Sequence, residues 1–337
     1  MKRKLLILIA AMFIFSSLFI IGVGALKIGD VNNDSIIDVK DAVLLAQCLA
    51  DWDVKTDEIV ADCNGDRRLD AKDAVLLAQF LADWEVSLFD LSAETLTVSG
   101  KEYYLRMDAA SLGTPDEKLR SVCGYVWYVF GTGNYKNFFA AGVKDGKVVA
   151  LQSSGKGFVY GGYECGDVIT KSNKYTRKLL TDKNDNKIVH AVDLYDIYYH
   201  YDVDSTALAG ESKMNFHFAN AFRVYHGLSK LSWCDKAAKA AYLHSKDMAD
   251  QDYFDHTSLN GTPFYERVSA QGIKWRSCGE NIAAGTARYT GMENYNAWVN
   301  SSGHRDNILG DFSYLGVGAA YNSASSYLYY FTQDFYK

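Results

Sequence analysis

Oxygen-bearing side chains recur with one spacing in two short stretches near the N-terminus. Segments 28–52 and 60–84 are identical at 16 of 25 aligned positions. Each opens with Asp and Asn at positions 1, 3, 5, 9 and 12 of a calcium loop, and position 7 would add a main-chain carbonyl. These positions hold Asp30, Asn32, Asp34, Ile36, Asp38 and Asp41, then Asp62, Asn64, Asp66, Arg68, Asp70 and Asp73. Because Ca²⁺ prefers oxygen ligands, the spacing predicts two calcium sites.

The two loops differ from a complete EF-hand in informative ways. Position 6 is Ser35 or Arg67 instead of Gly, and position 12 is Asp instead of Glu. One predicted helix follows each loop, with apolar residues at i, i+3, i+4 and i+7. This duplicated loop-and-helix unit closely resembles the type I dockerin module of cellulosome enzymes, over residues 28–84. The resemblance implies a small all-α domain at residues 26–86 that binds two Ca²⁺.

The resemblance also implies a partner, the cohesin domain of a scaffolding protein (a scaffoldin). In dockerins, loop positions 10 and 11 and the following helix contact the cohesin. The corresponding residues are Val39, Lys40, Leu44 and Leu45 in the first repeat and Ala71, Lys72, Leu76 and Leu77 in the second. Because the repeats are nearly identical, a cohesin could dock in two orientations related by a half-turn. The cohesin subtype stays open.

The first 25 residues have the pattern of an export signal. Residues 2–4 are basic, residues 5–21 are apolar or small, and small residues at 23–25 suit cleavage after Ala25. An uncleaved membrane anchor is the alternative, because the apolar run is long. We expect a secreted, extracellular protein that is attached to a cellulosome or cell surface and has no stable membrane insertion after cleavage.

Charge and cysteine content narrow the choice of partners and compartment. The net charge is −6, and the sequence has no basic patch that could neutralise the phosphates of a nucleic acid. Both observations argue against a nucleic-acid partner. The six cysteines lie two each in residues 26–86, 87–210 and 211–337, so the simplest disulfide pairing is 48–63, 123–165 and 234–278. Free thiols are the alternative.

Residues 87–210 are predicted to form a β-rich α+β domain. Aromatic and β-branched runs at 125–131, 138–143 and 147–154 are separated by turn residues, and 144–147 favours a hairpin. The layout loosely resembles the domain that precedes many bacterial CAP domains. The region shows no clustered catalytic residue types, so we assign it a supporting or binding role.

Four short motifs define the C-terminal region, residues 211–337. They are YFDH at 253–256, GENIA at 279–283, WVNSSGH at 298–304 and YLYYFTQDF at 327–335, and helices are predicted at 215–225 and 237–248. Their order and spacing resemble the bacterial branch of the CAP superfamily, also called SCP, pathogenesis-related 1-like or cysteine-rich secretory proteins. The resemblance implies an α-β-α sandwich with a cleft in which two histidines lie beside acidic side chains.

Matched motif to motif, the resemblance assigns His256, Glu280 and His304 to this cleft. The position of the second acid in many family members is Ser301 here, and Glu293 is not expected to replace it. Two imidazoles and a carboxylate could bind Zn²⁺ or hold a water for general-base catalysis. The histidines could instead be structural, as a turn residue and a helix-end residue.

These features predict a secreted, cellulosome-associated accessory protein of a polysaccharide-degrading complex, whose CAP domain binds a ligand or partner. One alternative is an extracellular hydrolase, a peptidase or polysaccharide-active enzyme, that uses Glu280 with His256 and His304, with or without a metal. Another is a purely structural surface protein. No nucleophile elbow is present in the sequence, which favours binding over catalysis.

Overall fold

The computed structural model describes residues 27–54, 56–65, 68–90, 95–172, 175, 178–195, 203–286 and 290–337. The predicted signal peptide at 1–25 and Asp66 lie outside these residues. The chain divides into two compact units, residues 1–91 and 92–337. No helix in the described ranges is long and apolar enough to cross a membrane.

The described elements of the first unit are three helices. They are α1 (Val39–Leu49), α2 (Glu58–Ala61) and α3 (Ala71–Leu81). Helices α1 and α3 begin after Asp38 and Asp70, whose side chains cap them, and Asp41 and Asp73 complete reciprocal capping boxes. The two repeats therefore start their helices in the same way.

The region after residue 95 is β-rich, as predicted. The strands are β1 (Thr95–Val98), β2 (Lys101–Tyr104), β3 (Glu117–Arg120), β4 (Val126–Phe130), β5 (Phe139–Lys144), β6 (Lys147–Ser153), β7 (Phe158–Tyr160), β8 (Tyr163–Glu164), β9 (Leu179–Asp182) and β10 (Ile188–Tyr195). One sheet has the order β2-β1-β7-β8 and a second has the order β3-β4-β5-β6-β10-β9. The predicted hairpin joins β5 to β6, with positive φ at Asp145 and Gly146, as a type I′ turn requires.

Between residues 95 and 195 the described residues contain strands and the 3₁₀ helix Ala109–Leu112, and the α-helix within the predicted bounds 87–210 is the start of the helix Ser205–Tyr225. None of the six cysteines forms a disulfide, so the simple pairing 48–63, 123–165 and 234–278 is wrong for this structure.

The C-terminal region is a four-stranded sheet between helices. Its elements are α4 (Ser205–Tyr225), β11 (Ser232–Trp233), α5 (Asp235–Gln251), α6 (Phe264–Ala270), β12 (Cys278–Gly285), α7 (Gly291–Val299), α8 (Ser302–Leu309), β13 (Tyr314–Tyr321) and β14 (Tyr329–Tyr336). The strand order is β11-β13-β14-β12. Side chains alternate along each strand, so Val317 and Phe331 join the core with α4, whereas Ile282 and Tyr330 pack with Met248 of α5. The predicted α-β-α sandwich is therefore present.

Helix α4 lies between this sandwich and the six-stranded sheet. One core cluster contains Trp127 and Phe138 of the middle region together with Phe218 of α4. Glu211 of α4 accepts hydrogen bonds from the Ser121 hydroxyl at 2.7 Å and from a main-chain amide of the same turn. Residues 92–337 therefore form one compact unit, and the predicted boundary at residue 210 falls inside α4.

Candidate functional site

The first calcium loop is held together by its own carboxylates. Asp30 accepts hydrogen bonds from the main-chain amides of Asp34 and Ser35 at 3.0 and 2.8 Å. Asp41 accepts from the amides of Asn32 and Asp38 at 3.0 and 2.8 Å. Ser35, at the usual glycine position, has a φ of 72°, so it adopts the left-handed conformation that position 6 requires. Ser35 therefore takes the backbone conformation of the usual glycine without being a glycine.

The second loop repeats this arrangement where it is described. Asp73 accepts from the amides of Asn64 and Asp70, as Asp41 does in the first loop. Asp30, Asp41, Asp62 and Asp73, at positions 1 and 12 of the two loops, are all buried. These oxygen-bearing residue types suit a hard cation such as Ca²⁺. Among the described residues, however, neither loop gathers three acidic side chains closely enough to hold a metal ion, so calcium binding by the loops stays a prediction.

The predicted partner residues divide into exposed and buried ones. Val39, Lys40, Ala71 and Lys72 are exposed, and Leu44 and Leu76 are half-buried. In contrast, Leu45 and Leu77 are completely buried, so the prediction that they contact a partner is wrong for this structure. Val43 and Val75, which were not among the predicted partner residues, are 51% and 55% exposed. A groove of about 560 Å³ on the second repeat is lined by Asn64, Ala71, Lys72, Val75, Leu76 and Gln79.

Glu280 is the buried member of the residues predicted to form the cleft, and its side chain is 1% exposed. Strand β12 carries it, and its two oxygens have different partners. His256 Nδ1 lies 2.8 Å from Oε1, and the Arg267 guanidinium donates to Oε2 at 2.7 Å. Because a carboxylate only accepts, the proton of this contact belongs to His256 Nδ1. The half-exposed imidazole is thus oriented with Nε2 as the nitrogen that a ligand can use.

His304 is positioned on α8 by a network of amide side chains. Asn281 Nδ2 donates to the His304 carbonyl and to Gln333 Oε1, both at 3.0 Å. Asn307 donates to Asn281 Oδ1 at 2.8 Å and to the Glu280 carbonyl at 3.1 Å. Burial lowers the pKa of His304, and the nearby His256 lowers it further. The structure therefore brings the three predicted cleft residues into one neighbourhood.

The other residues discussed for this cleft have structural partners. Ser301 is the residue that precedes α8, without a side-chain capping bond. Glu293 accepts from the Thr290 amide and hydroxyl at the start of α7, so it does not serve as a second cleft acid. Trp298 is buried and donates to the Ile282 carbonyl, with its ring 6.5 Å from that of His304.

Three residues of the site were not assigned to it from the sequence. Arg267 also donates to the His256 carbonyl at 2.8 Å and so fixes both members of the His256–Glu280 pair. Asp334 is the Cα partner of Glu280 across β12 and β14. His244 of α5 is buried and has Nε2 3.0 Å from the Asp255 carbonyl. Strand register brings Asp334 to Glu280, and helix packing brings His244 to Asp255. Register and packing cannot be inferred from a local sequence motif.

The geometry suits hydrogen bonding and proton exchange better than metal binding. Among the described residues, no three or more His, Cys, Asp or Glu side chains are gathered closely enough to hold a metal ion. In the cleft, both Glu280 oxygens are engaged by Arg267 and His256. His256 and His304 alone would fall short of the three protein ligands of a catalytic zinc site.

Known proteins resemble separate parts of this chain. The model of the cysteine-rich secretory protein family matches residues 216–335, and that of the dockerin type I domain matches residues 28–82. The uncharacterized membrane protein YlbC of Bacillus subtilis (strain 168) is 26% identical over 283 residues, which cover 67% of this chain and 79% of YlbC. The uncharacterized protein YkwD of the same organism is 41% identical over 116 residues, but the match spans only 34% of this chain and 44% of YkwD.

Solved structures share the fold of the second unit. An extracellular SCP-domain protein from Bacillus anthracis str. Ames has a TM-score of 0.57 at 24% identity, covering 69% of this chain and 93% of its own. A cysteine-rich secretory protein from Staphylococcus aureus subsp. aureus Mu50 has a TM-score of 0.52 at 14% identity, covering 72% and 96%. Each of these structures matches a longer part of this chain than residues 216–335, so the structural similarity extends into the β-rich region. The chain therefore contains a type I dockerin domain, matched at residues 28–82, and a domain of the cysteine-rich secretory protein family, matched at residues 216–335.

Proposed function

We propose that this protein is a secreted accessory component of a cellulosome, attached through Ca²⁺-dependent docking of its dockerin to a cohesin. The support is the pair of loops, each with buried Asp residues at positions 1 and 12, followed by a helix that exposes one Lys and several apolar side chains. Residues 30, 32, 34, 36, 38 and 41 and their counterparts in the second loop would hold the calcium ions. Bound Ca²⁺ would neutralise the buried carboxylates and hold each helix at a fixed angle to its loop.

We infer that the cysteine-rich secretory protein domain binds a ligand or partner through the His256 cleft and does not cleave it. The observation that carries this inference is the engagement of both Glu280 oxygens, one by His256 and one by Arg267. A carboxylate that is 1% exposed and paired with a guanidinium and an imidazole orients that imidazole, but it is a weak base and poorly accessible to a water or a substrate. His256 Nε2 then acts as a hydrogen-bonding group toward a polar ligand.

The hydrolase alternative is favoured by one observation, the His256–Glu280 pair itself, because an oriented imidazole is a common general base. The test compares the chain lacking residues 1–25 with His256→Ala and Glu280→Gln on peptide and plant-polysaccharide substrates. We expect no turnover that depends on either residue. A rate that falls at least tenfold in both variants, with folding unchanged, would establish the hydrolase and overturn the binding proposal.

Zinc is tested separately because the cleft offers only two imidazoles. Calorimetric titration with ZnCl₂, in excess Ca²⁺ to fill the dockerin loops, should give the same heats for wild type and His256→Ala. A micromolar or tighter site lost in both His256→Ala and His304→Ala would show that the cleft is a metal centre. Its affinity should then fall below pH 6.5 or so, where free imidazoles gain a proton.

A further inference from the structure

Two acidic side chains face each other in the buried layer beneath His256. Glu280 on β12 and Asp334 on β14 are direct partners in the antiparallel register. Side chains of directly opposed residues leave the same face of a sheet, a few ångströms apart. Both residues are buried, with 6% of Glu280 and 2% of Asp334 exposed. Water therefore cannot screen the repulsion between two carboxylates here.

The positive charge near this pair is sufficient for one carboxylate only. Arg267 directs its guanidinium to Glu280 Oε2, and its other donors reach the His256 and Thr262 carbonyls and the Ser258 hydroxyl. Asp334 Oδ1 is buried and has no hydrogen-bond partner among the described residues. An ionised Asp334 would therefore be a buried anion without a cation or a full set of donors, which is strongly unfavourable.

The remaining groups around the pair do not supply the missing charge. His244 of α5 is buried, and burial lowers its pKa, so its ring is neutral at pH 7. His304 of α8 is neutral for the same reason. On β13 the residue opposite Asp334 is Gly316, which has no side chain. The half-exposed His256 already interacts with Glu280.

We propose that Asp334 is protonated at neutral pH and donates a hydrogen bond to Glu280, so that the two carboxyls share one proton. Asp334 is then a positioning residue. Its O–H, together with Arg267, holds Glu280 in the orientation that receives His256 Nδ1. Burial raises the pKa of Asp334 well above its ordinary value, and the charge of Glu280 raises it further. This inference concerns the state of the cleft and holds whether the cleft binds or cleaves its ligand.

The shared proton makes the cleft sensitive to alkaline pH. Loss of the proton would leave two adjacent buried anions and one guanidinium, so the carboxyls would separate and His256 would lose its fixed partner. The reaction is a simple deprotonation, in which the Asp334 O–H bond breaks and the proton passes to solvent. Asp334→Asn supplies an N–H donor that cannot be lost and should keep the neutral-pH geometry at all pH values.

Infrared difference spectroscopy on the chain lacking residues 1–25 tests the proton directly. A protonated carboxyl has a C=O stretching band that a carboxylate lacks. At pH 7 we expect this band in the wild type and its loss in Asp334→Asn. Glu211→Gln is the matched control, because Glu211 is also buried with a raised pKa, and this variant should keep the Asp334 band. A wild-type spectrum that differs from Asp334→Asn only in carboxylate bands at pH 7 would overturn the proposal.

The His256 ring signals in NMR report the positioning role. In the wild type they should shift when alkaline pH removes the shared proton, whereas in Asp334→Asn they should stay constant. Identical alkaline titrations in the two proteins would contradict the role of Asp334. If Asp334→Asn does not fold, the infrared titration of the wild type decides, since a carboxyl band that is absent throughout pH 5–8 would also refute the shared proton.

Discussion

The guanidinium of Arg305 lies 2.8 Å from the carboxylate of Asp182 and joins helix α8 to strand β9. Arg305 directly follows His304, and the Asp182 side chain is completely buried. Asn184, just after β9, donates to the Val299 carbonyl at the end of α7 at 2.9 Å. The β-rich region therefore supports the segment that carries His304.

Breaking this ion pair should destabilise the second unit. Asp182→Asn leaves the guanidinium of Arg305, only 15% exposed, without its counter-charge, so we expect a loss of about 3 kcal/mol in the free energy of unfolding. Asp311→Asn is the control, because Asp311 pairs with Lys337 at the surface and should cost less than about 1 kcal/mol. Chemical denaturation measures both. Equal losses would mean that the buried pair has no special role.

Calcium should be required for the repeat unit but not for the rest of the chain. Asp30, Asp41, Asp62 and Asp73 are buried carboxylates whose mutual repulsion a bound cation removes. Removal of Ca²⁺ with EGTA should therefore make residues 27–90 susceptible to protease while residues 95–337 stay intact. The control is Asp311→Asn, which lies outside both loops and should respond to EGTA like the wild type. Resistance of the repeats to protease in EGTA would contradict the prediction.

Docking to a cohesin should survive damage to either repeat. The double variant Lys40→Glu with Leu44→Asp should still bind through Lys72 and Leu76. The double variant Lys72→Glu with Leu76→Asp should still bind through Lys40 and Leu44. Only the quadruple variant should lose binding, measured by calorimetry with a purified cohesin in Ca²⁺. These four positions are exposed or half-buried, so the substitutions should not unfold the helices. Loss of binding in one double variant alone would show that a single orientation is used.

Stability should fall in acid because of His190. This side chain is completely buried, with Nδ1 3.2 Å from the Tyr295 hydroxyl and Nε2 3.0 Å from Asn296 Oδ1. Burial lowers its pKa from 6.5 to about 4. The unfolded chain binds the proton more readily, so the contribution of His190 is present above pH 6.5 and is lost as pH falls toward 4. The loss amounts to roughly 3 kcal/mol.

His190→Gln should flatten this acid dependence, since glutamine does not titrate. Denaturation at several pH values between about 4 and 7 measures the slope for each protein. Gln251→Ala provides the control, because Gln251 is an exposed residue at the end of α5 and carries no titratable group. If His190→Gln and the wild type lose stability in parallel, other groups dominate the acid response.

The sequence alone predicted those features whose physical cause is local. The helix that follows each loop and the hairpin at 144–147 depend on residues within a dozen positions of each other, so their spacing is visible in the chain. The order of short motifs likewise assigned His256, Glu280 and His304 to one predicted cleft. The start of α4 was missed because its cap, Asp204, lies eleven positions before the start of the predicted helix.

Tertiary structure decided the properties that depend on long-range packing. Leu44 and Leu45 are equally apolar neighbours, yet only packing between the repeats buries Leu45 and leaves Leu44 half-exposed. The register of β12 against β14 places Asp334 opposite Glu280, 54 residues away, and Asp182 reaches Arg305 across 123 residues. Burial and charge pairing at such separations are set by the assembled core, because no local pattern specifies which strands become neighbours.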